Sequence, residues 1–317
     1  MNPAFRTDRF PAWGALALSA LLLASCATPP ARGPAPAAAG QAASSLRIAT
    51  WNMEHLAELD GVGCRPRTEA DYVQMRDYVA KVDADVFAME EVESAAAAAR
   101  VFTPDKYDIY FSTRPVSGRS GECRGEPGLH IRNQGVGFAV RKGLQVQRNP
   151  DLAVLALGDP NLRWGVDITV HNAAGQPLRL LGVHLKSGCF DKADPTPTCS
   201  TVFKQADVLK WWVAEREADP SVPYLILGDW NRRLGKPNDR LWWELRHSTA
   251  DGVMLKDVPG ARRPACSTFD AYIDHIVLGP KAAAAYRDGS FEEYTYEETG
   301  QPSHLSDHCA ISVDLAL

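Results

Sequence analysis

The chain has no CxxC pair, although it contains seven cysteines. That absence removes the spacing on which structural zinc sites are usually built. There is no surplus of positive charge either: 34 Lys and Arg stand against 39 Asp and Glu, a formal net charge of -5. A polyanionic partner must therefore be met by a local patch or through bound cations, not by the field of the whole molecule. No repeat appears at solenoid periods. The apolar run Ala15–Leu23 is too short to span a bilayer comfortably. What is present is ordinary for a soluble globular protein, with 45% hydrophobic and 23% charged residues in 317.

The N-terminus reads as an address. Arg6 and Arg9 precede the apolar run, which ends in Leu23-Ala24-Ser25-Cys26. A cysteine directly after small residues resembles a bacterial lipoprotein processing site, so residues 1–25 are expected to be a signal peptide and Cys26 the lipidated new N-terminus. A plain signal peptide with an incidental cysteine is the rival. Residues 26–45 are mostly Pro, Ala and Gly and cannot bury enough surface to fold, so they read as a tether. Residues 46–317, roughly 270 of them, suffice for one domain. The expectation is an exported monomer in the cell envelope, held to the membrane by its lipid.

The other six cysteines agree with an oxidising compartment. Six thiols allow fifteen pairings. Cys189 and Cys199 flank a loop containing Pro195 and Pro197 and are the expected pair, a bond contributing roughly 3 kcal/mol.

Periodicity predicts strands over Leu46–Met53, Asp85–Met89, Tyr107–Ser112, Gly135–Arg141, Trp164–His171 and Leu178–Leu185, then Tyr224–Leu227, Tyr272–Leu278 and Cys309–Leu315. Helices are predicted behind Thr68, with Asp71 as a capping-box partner, over Glu93–Arg100 and over Ser200–Ala218. Residues 114–132 read as a long excursion, stapled through Cys123. Strands with intervening helices indicate an α/β or α+β sandwich.

Several strand ends carry polar residues that a core would reject: Asn52, Glu90-Glu91, His184, Asp229 with Asn231, and Asp274 answered by Asp307-His308. Singly, each has a plain explanation as a turn residue, a solvated cap or a satisfied histidine. Together they supply hard oxygen donors for a divalent ion and two imidazoles for proton transfer near neutral pH. That set suits metal-assisted attack of water on a phosphate ester.

The segments TWNMEHL, ADVFAMEEV, LGVHLKSG, LILGDWNRR, YIDHIVLG and SHLSDHCAI stand in the order of the endonuclease/exonuclease/phosphatase superfamily, which the chain resembles over nearly all of residues 46–317. The resemblance implies a four-layered α/β sandwich, two packed mixed β-sheets flanked by helices. It implies a phosphate-ester hydrolase using Mg²⁺, or Mn²⁺ or Ca²⁺. By the same token Glu91 matches the metal ligand, with Asn52 beside it and Asp307 as a further metal-site carboxylate. Asp229 matches the acid that positions or deprotonates water, and Asn231 the amide that steadies phosphoryl oxygens. His308 matches the catalytic histidine, oriented by Asp274. His184 matches the second histidine of the deoxyribonuclease, sphingomyelinase and 5-phosphatase branches, and Arg163 a phosphate-contacting arginine.

Departures narrow the branch. The abasic-site enzymes lack a histidine at His184, and where pancreatic-type nucleases carry an arginine this chain has Glu93. Arg232, Arg233, Lys236 and Arg240, together with Arg262-Arg263, read either as a rim for a nucleic-acid backbone or as solvated charge, as does a diffuse set at Arg114, Arg119, Arg124 and Arg132. Trp230, Trp242 and Trp243 read as stacking platforms or as core. The expected function is a phosphodiesterase, foremost an exported nuclease of low specificity. A phosphomonoesterase or a phospholipid or sphingomyelin phosphodiesterase is the alternative, and a non-catalytic envelope binding module the reading from another class.

Overall fold

The computed structural model describes residues 45–116, 121–191, 196–267, 269–296 and 304–317. The signal peptide, Cys26 and nearly all of the tether lie outside the described residues, as do Pro195 and Arg119. In chain order the elements are β1 (Ser45–Leu56), α1 (Glu69–Val82), β2 (Val86–Val92), α2 (Ala95–Val101), β3 (Tyr107–Phe111), β4 (Glu122–Cys123), β5 (Glu126–His130), β6 (Gly135–Arg141) and β7 (Gln145–Arg148). They continue with β8 (Val166–His171), β9 (Pro177–His184), α3 (Pro197–Ala218), β10 (Tyr224–Asp229), α4 (Arg240–Arg246), β11 (Lys256–Asp257), β12 (Asp274–Leu278), α5 (Pro280–Ala285), β13 (Glu292–Glu293) and β14 (Ile311–Ala316).

Among the described residues twelve of the strands form two six-stranded sheets, ordered β13-β14-β1-β2-β6-β3 and β11-β12-β10-β9-β8-β7, and β4 pairs with β5 as a separate two-stranded sheet. Both six-stranded sheets are mixed. In the first β1 runs parallel to β2, and in the second β9 runs parallel to β10. Alternation places Ile48, Ala88 and Phe138 of the first sheet against Ile168, Leu180, Leu227 and Ile276 of the second, in a core between the sheets. The opposite side chains, Ala49, Trp51, Phe87 and Met89, pack on Tyr72, Met75 and Val79 of α1 and Ala97 and Ala98 of α2. On the far side Leu181, Val183 and Ile226 pack on Phe203, Leu209 and Val213 of α3 and Leu241 and Leu245 of α4. Helix, sheet, sheet, helix are the four layers expected, and strands buried on both faces explain why their sequences read as apolar runs.

Local chemistry sets the boundaries. Thr68 and Asp71 form the capping box that starts α1. The helix predicted from Glu93 begins at Ala95 instead, because the Ser94 hydroxyl accepts from the Ala97 amide and fixes the cap there. Asn172 closes the β8–β9 turn by accepting from the Ala174 and Gln176 amides. All six cysteines of the domain are paired, as Cys64–Cys123, Cys189–Cys199 and Cys266–Cys309, so no thiolate of the described chain remains for zinc. The first of these staples the 114–132 excursion, and the second is the expected pair.

The strands leading to the polar residues run further than their apolar patterns. β1 continues to Leu56 and β2 to Val92, each with a break in register: between Asn52 and Leu56 in one, between Glu90 and Val92 in the other. At those breaks Glu54, His55 and Glu91 adopt left-handed backbone, with φ of 42°, 56° and 58°. Bulges of this kind re-aim side chains. Here they give adjacent glutamates opposite surroundings: Glu90 is buried, while Glu91 opens onto a cavity.

Candidate active site

Register assembles the site. On the second sheet Asp229 of β10 lies opposite His184 of parallel β9 and opposite Asp274 of antiparallel β12, so three polar side chains form one row at the sheet end. Gly228 permits this row. Its φ is +137°, and a Cβ there would fall 2.0 Å from the Val183 carbonyl oxygen. On the first sheet Asn52 lies opposite Glu90. The two sheets meet where the Asn52 Nδ2 donates to Asp229 Oδ2 at 3.0 Å.

Asp229 is held from several directions. The Asn231 backbone amide donates to its Oδ1 at 2.8 Å, and the Asn231 Nδ2 donates to Oδ2 at 3.1 Å. The His184 Nε2 stands 3.4 Å from Oδ2. Burial raises the proton affinity of Asp229, with Asp274 and Glu91 adding to the rise and His308 opposing it, so its pKa is pushed up to about 7.

The two histidines differ in charge. At His308, burial works against protonation, yet the Asp274 carboxylate, 2.8 Å from Nδ1, together with Asp229 and Asp307, outweighs it and raises the pKa well above the usual range. At His184, burial and then the charge of Arg163 lower the pKa well below it. His308 is therefore an imidazolium and His184 a neutral imidazole. Glu90 is pushed well above the carboxylate range by burial and then by Asp274 and Asp229, and takes a hydrogen bond from Thr50 at 3.0 Å.

The His308 loop is fixed by residues that the apolar pattern concealed. The Trp51 Nε1 and the Tyr296 hydroxyl both donate to the His308 carbonyl. Ser306 accepts from the His308 amide and donates to the Asn52 carbonyl. Arg67, almost wholly buried, donates to the carbonyls of Met53, Glu54 and Leu305, tying the end of β1 to this loop. An arginine or serine in a loop carries no local sign of such a role; only the carbonyls that converge on it reveal it.

Two cavities share this centre. The first, about 670 Å³, is bordered by Asp229, Asn231, Asp274, Asp307 and His308, with Phe190, Phe269 and Tyr272 on its wall. The second, about 570 Å³, contains Arg163, His55 and Lys186. Glu91, His184 and Ser187 line both. Glu91 receives the His55 backbone amide at 3.3 Å and lies 3.9 Å from His184 Nε2. Arg163 is buried beneath the centre, donating to the His184 and Leu185 carbonyls. Asp307 is half exposed, 3.8 Å from His308 Nε2.

The donor set fits a hard divalent ion, because Glu91, Asp307, Asp229 and Asn52 all offer oxygens. Among the described residues the one group of three acid, imidazole or thiol side chains whose ligand atoms all lie within 4.8 Å of one another is Asp229, Asp274 and His308. Within that group Asp274 and His308 already bond each other, at 2.8 Å.

Other expectations change. Arg232 is not on a rim: it is buried and paired with Asp239 at 2.6 Å. Arg233 pairs with Asp191, Lys236 with Asp270 and Arg240 with Glu244, so the cations after Asn231 are engaged by carboxylates. Trp230 is fully buried and cannot stack on a base, and Trp242 packs against the α3 side of the core. Trp243 is exposed and stacks on His247 at 4.1 Å. Glu93 is joined to Arg132, whose Nε donates to it at 2.7 Å.

Two sandwiched mixed sheets with acids, amides and histidines gathered at one end define a phosphoesterase architecture. Residues 49–308 match the model of the Endonuclease/Exonuclease/phosphatase family, and the chain belongs to it. No curated protein sequence matches the chain. The human Nocturnin catalytic domain with bound sulfate anion is 13% identical with a TM-score of 0.58, covering 86% of this chain and 94% of that one. D. rerio TDP2 complexed with single strand DNA product is 15% identical with a TM-score of 0.57, covering 86% and 98%. The 3′ phosphatase NExo from Neisseria, bound to product DNA hairpin, is 17% identical with a TM-score of 0.53, covering 85% and 99%. At these identities the likeness is one of fold.

Proposed function

We propose that the chain is a divalent-metal-dependent phosphodiesterase and, more specifically, an exported nuclease of low sequence specificity. The observation that carries the reading is the placing of a buried base and a charged acid in one cleft: Asp229 held by Asn52 and Asn231, and His308 charged by Asp274. Asp229 takes the proton of the attacking water as its oxygen bonds to phosphorus. His308 gives its Nε2 proton to the leaving alkoxide as the phosphorus–oxygen bond breaks. Neutral His184 donates to a non-bridging oxygen, where negative charge grows; the Asn231 amide, expected to do the same, instead gives both Nδ2 hydrogens to Asp229 Oδ2 and the Leu185 carbonyl and so holds the base in place. Glu91, with Asn52 and Asp307, would hold Mg²⁺ (or Mn²⁺ or Ca²⁺), and a bound divalent ion supplies charge neutralisation at the phosphate.

Nucleic acid is favoured as substrate because two of the similar structures hold DNA products. The apolar wall of Phe190, Phe269 and Tyr272 favours a lipid or sphingomyelin phosphodiester as the second reading. Export, lipid anchoring at Cys26 and an envelope location rest on the N-terminal sequence and are supported by three disulfides.

The test is a substrate panel of plasmid DNA, RNA, sphingomyelin and inositol phosphates with Mg²⁺ or Mn²⁺ and EDTA controls. DNA cleavage that weakens steeply with salt is expected. Cleavage confined to lipid overturns the nuclease reading. Hydrolysis of nothing, with Asp229→Ala behaving as wild type, overturns the enzyme.

A further inference from the structure

The pair formed by His308 and Asp274 spans the two large sheets. Asp274 opens β12 on the second sheet, and His308 stands just ahead of β14 on the first. With Nδ1 on Asp274 at 2.8 Å, the ring keeps Nε2 for the leaving group. The hydrogen bonds that Trp51, Tyr296 and Ser306 make to the His308 main chain all belong to the first-sheet side, so none of them ties the loop to Asp274.

A covalent bond crosses the same gap one residue further on. Cys309 follows His308 and is joined to Cys266, in the segment that leads to Asp274. Chain, cross-link and hydrogen bond thus close a ring: from Cys266 along the chain to Asp274, across to His308, and back through Cys309. Phe269 and Tyr272 of the cavity wall stand on the longer arm of that ring. Glu293 of β13 holds both ends of this arm, accepting from the Ala265 and Cys266 amides at 2.7 and 3.0 Å and from the Tyr272 hydroxyl at 2.7 Å.

The three disulfides differ in where they sit. Cys266 and Cys309 both line the cavity that contains Asp229 and His308, while Cys64–Cys123 and Cys189–Cys199 border neither cavity of the centre. Stabilisation through the unfolded chain depends on the length of the closed loop and not on the bond's place in the fold. It therefore does not account for a cross-link built into the catalytic wall beside the acid.

Resting on the phosphodiesterase reading, we propose that the Cys266–Cys309 bond is a positioning cross-link for the general acid, so that efficient delivery of the His308 proton belongs to the oxidised chain. A dithiol opens the bond by exchange. One of its thiolates attacks a cystine sulfur and displaces the other cysteine as thiolate; its second thiolate then closes the dithiol's own disulfide and frees the first cysteine. The cystine gains two electrons and two protons, and the dithiol loses them.

The test reads kcat on thymidylyl-thymidine, whose leaving alkoxide needs a proton, and on bis(p-nitrophenyl) phosphate, whose leaving phenolate does not. Cys266→Ser combined with Cys309→Ser should lower kcat on the dinucleotide by about tenfold or more, and on the aryl diester far less. Cys64→Ser combined with Cys123→Ser should leave the ratio of the two rates at its wild-type value. In that second background Cys189 and Cys199 are wholly buried, so a dithiol should reproduce the selective loss while the chain still melts as a folded protein, and re-oxidation should reverse it. This arm decides the matter where the first double variant does not fold. Equal losses on the two diesters, or none, overturn the positioning role. Hydrolysis of neither diester by the oxidised wild type sinks the phosphodiesterase reading, and the positioning role falls with it.

Discussion

The Nδ2 of Asn52 and the Oδ2 of Asp229 lie 3.0 Å apart across 177 residues of sequence, one on each sheet. This hydrogen bond joins the halves of the site and stabilises the ionised form of the proposed base. Asn52→Ala should lower kcat by roughly a hundredfold. Asn52→Asp should instead place a like charge against Asp229 and move the acid limb of the pH–rate profile to higher pH. Steady-state profiles of both variants check this, and an unchanged acid limb in Asn52→Asp would contradict it.

The charge states predict the shape of the wild-type profile. Asp229 works deprotonated, so kcat/KM should rise with pH through about 7. His308 works protonated, and Asp274 keeps it so, which puts the alkaline limb well above the ordinary histidine range. Asp274→Asn should bring that limb down and narrow the profile from the alkaline side.

Chelation should abolish hydrolysis, and Mg²⁺ or Mn²⁺ should restore it. Because Glu91 is the carboxylate that faces both cavities, Glu91→Gln should raise the Mg²⁺ concentration for half-maximal activity by about tenfold or more. The melting temperature in EDTA should stay close to wild type, since the Glu91 side chain is not part of the core. Titrating activity against Mg²⁺, with a parallel melt, separates these outcomes.

Stability should carry its own pH signature, at His275. Its Nδ1 faces Asp257 at 2.8 Å, and its Nε2 faces the carbonyls of Arg232 and Tyr272, so both nitrogens meet acceptors. Burial opposes the charge, but Asp257 and the Arg232 carbonyl raise the pKa above its ordinary value. A raised folded-state pKa gives stabilisation that is complete below the unfolded value and disappears as pH climbs through the folded one. As pH climbs from about 6.5 through the raised folded-state value, the wild-type melting temperature should therefore fall more than that of Asp257→Asn.

By itself the sequence determined that polar residues follow apolar runs at Asn52, Glu91, His184, Asp229 and Asp274, and that Cys189 and Cys199 sit close enough to pair. Those features are local: burial on both faces of a strand requires apolar side chains, and the next polar residue marks where burial ends. Tertiary structure decided what depends on neighbours distant along the chain. Bulges in β1 and β2 sent Glu90 inward and Glu91 into the cleft. Register set Asp229 between His184 and Asp274, and the surroundings made one histidine charged and the other neutral. Arg232 reads as surface charge in a basic run, yet Asp239 and the Cys189 carbonyl allow it to be buried. A residue's charge state and exposure follow from the groups packed around it, and those groups become its neighbours only when the chain folds.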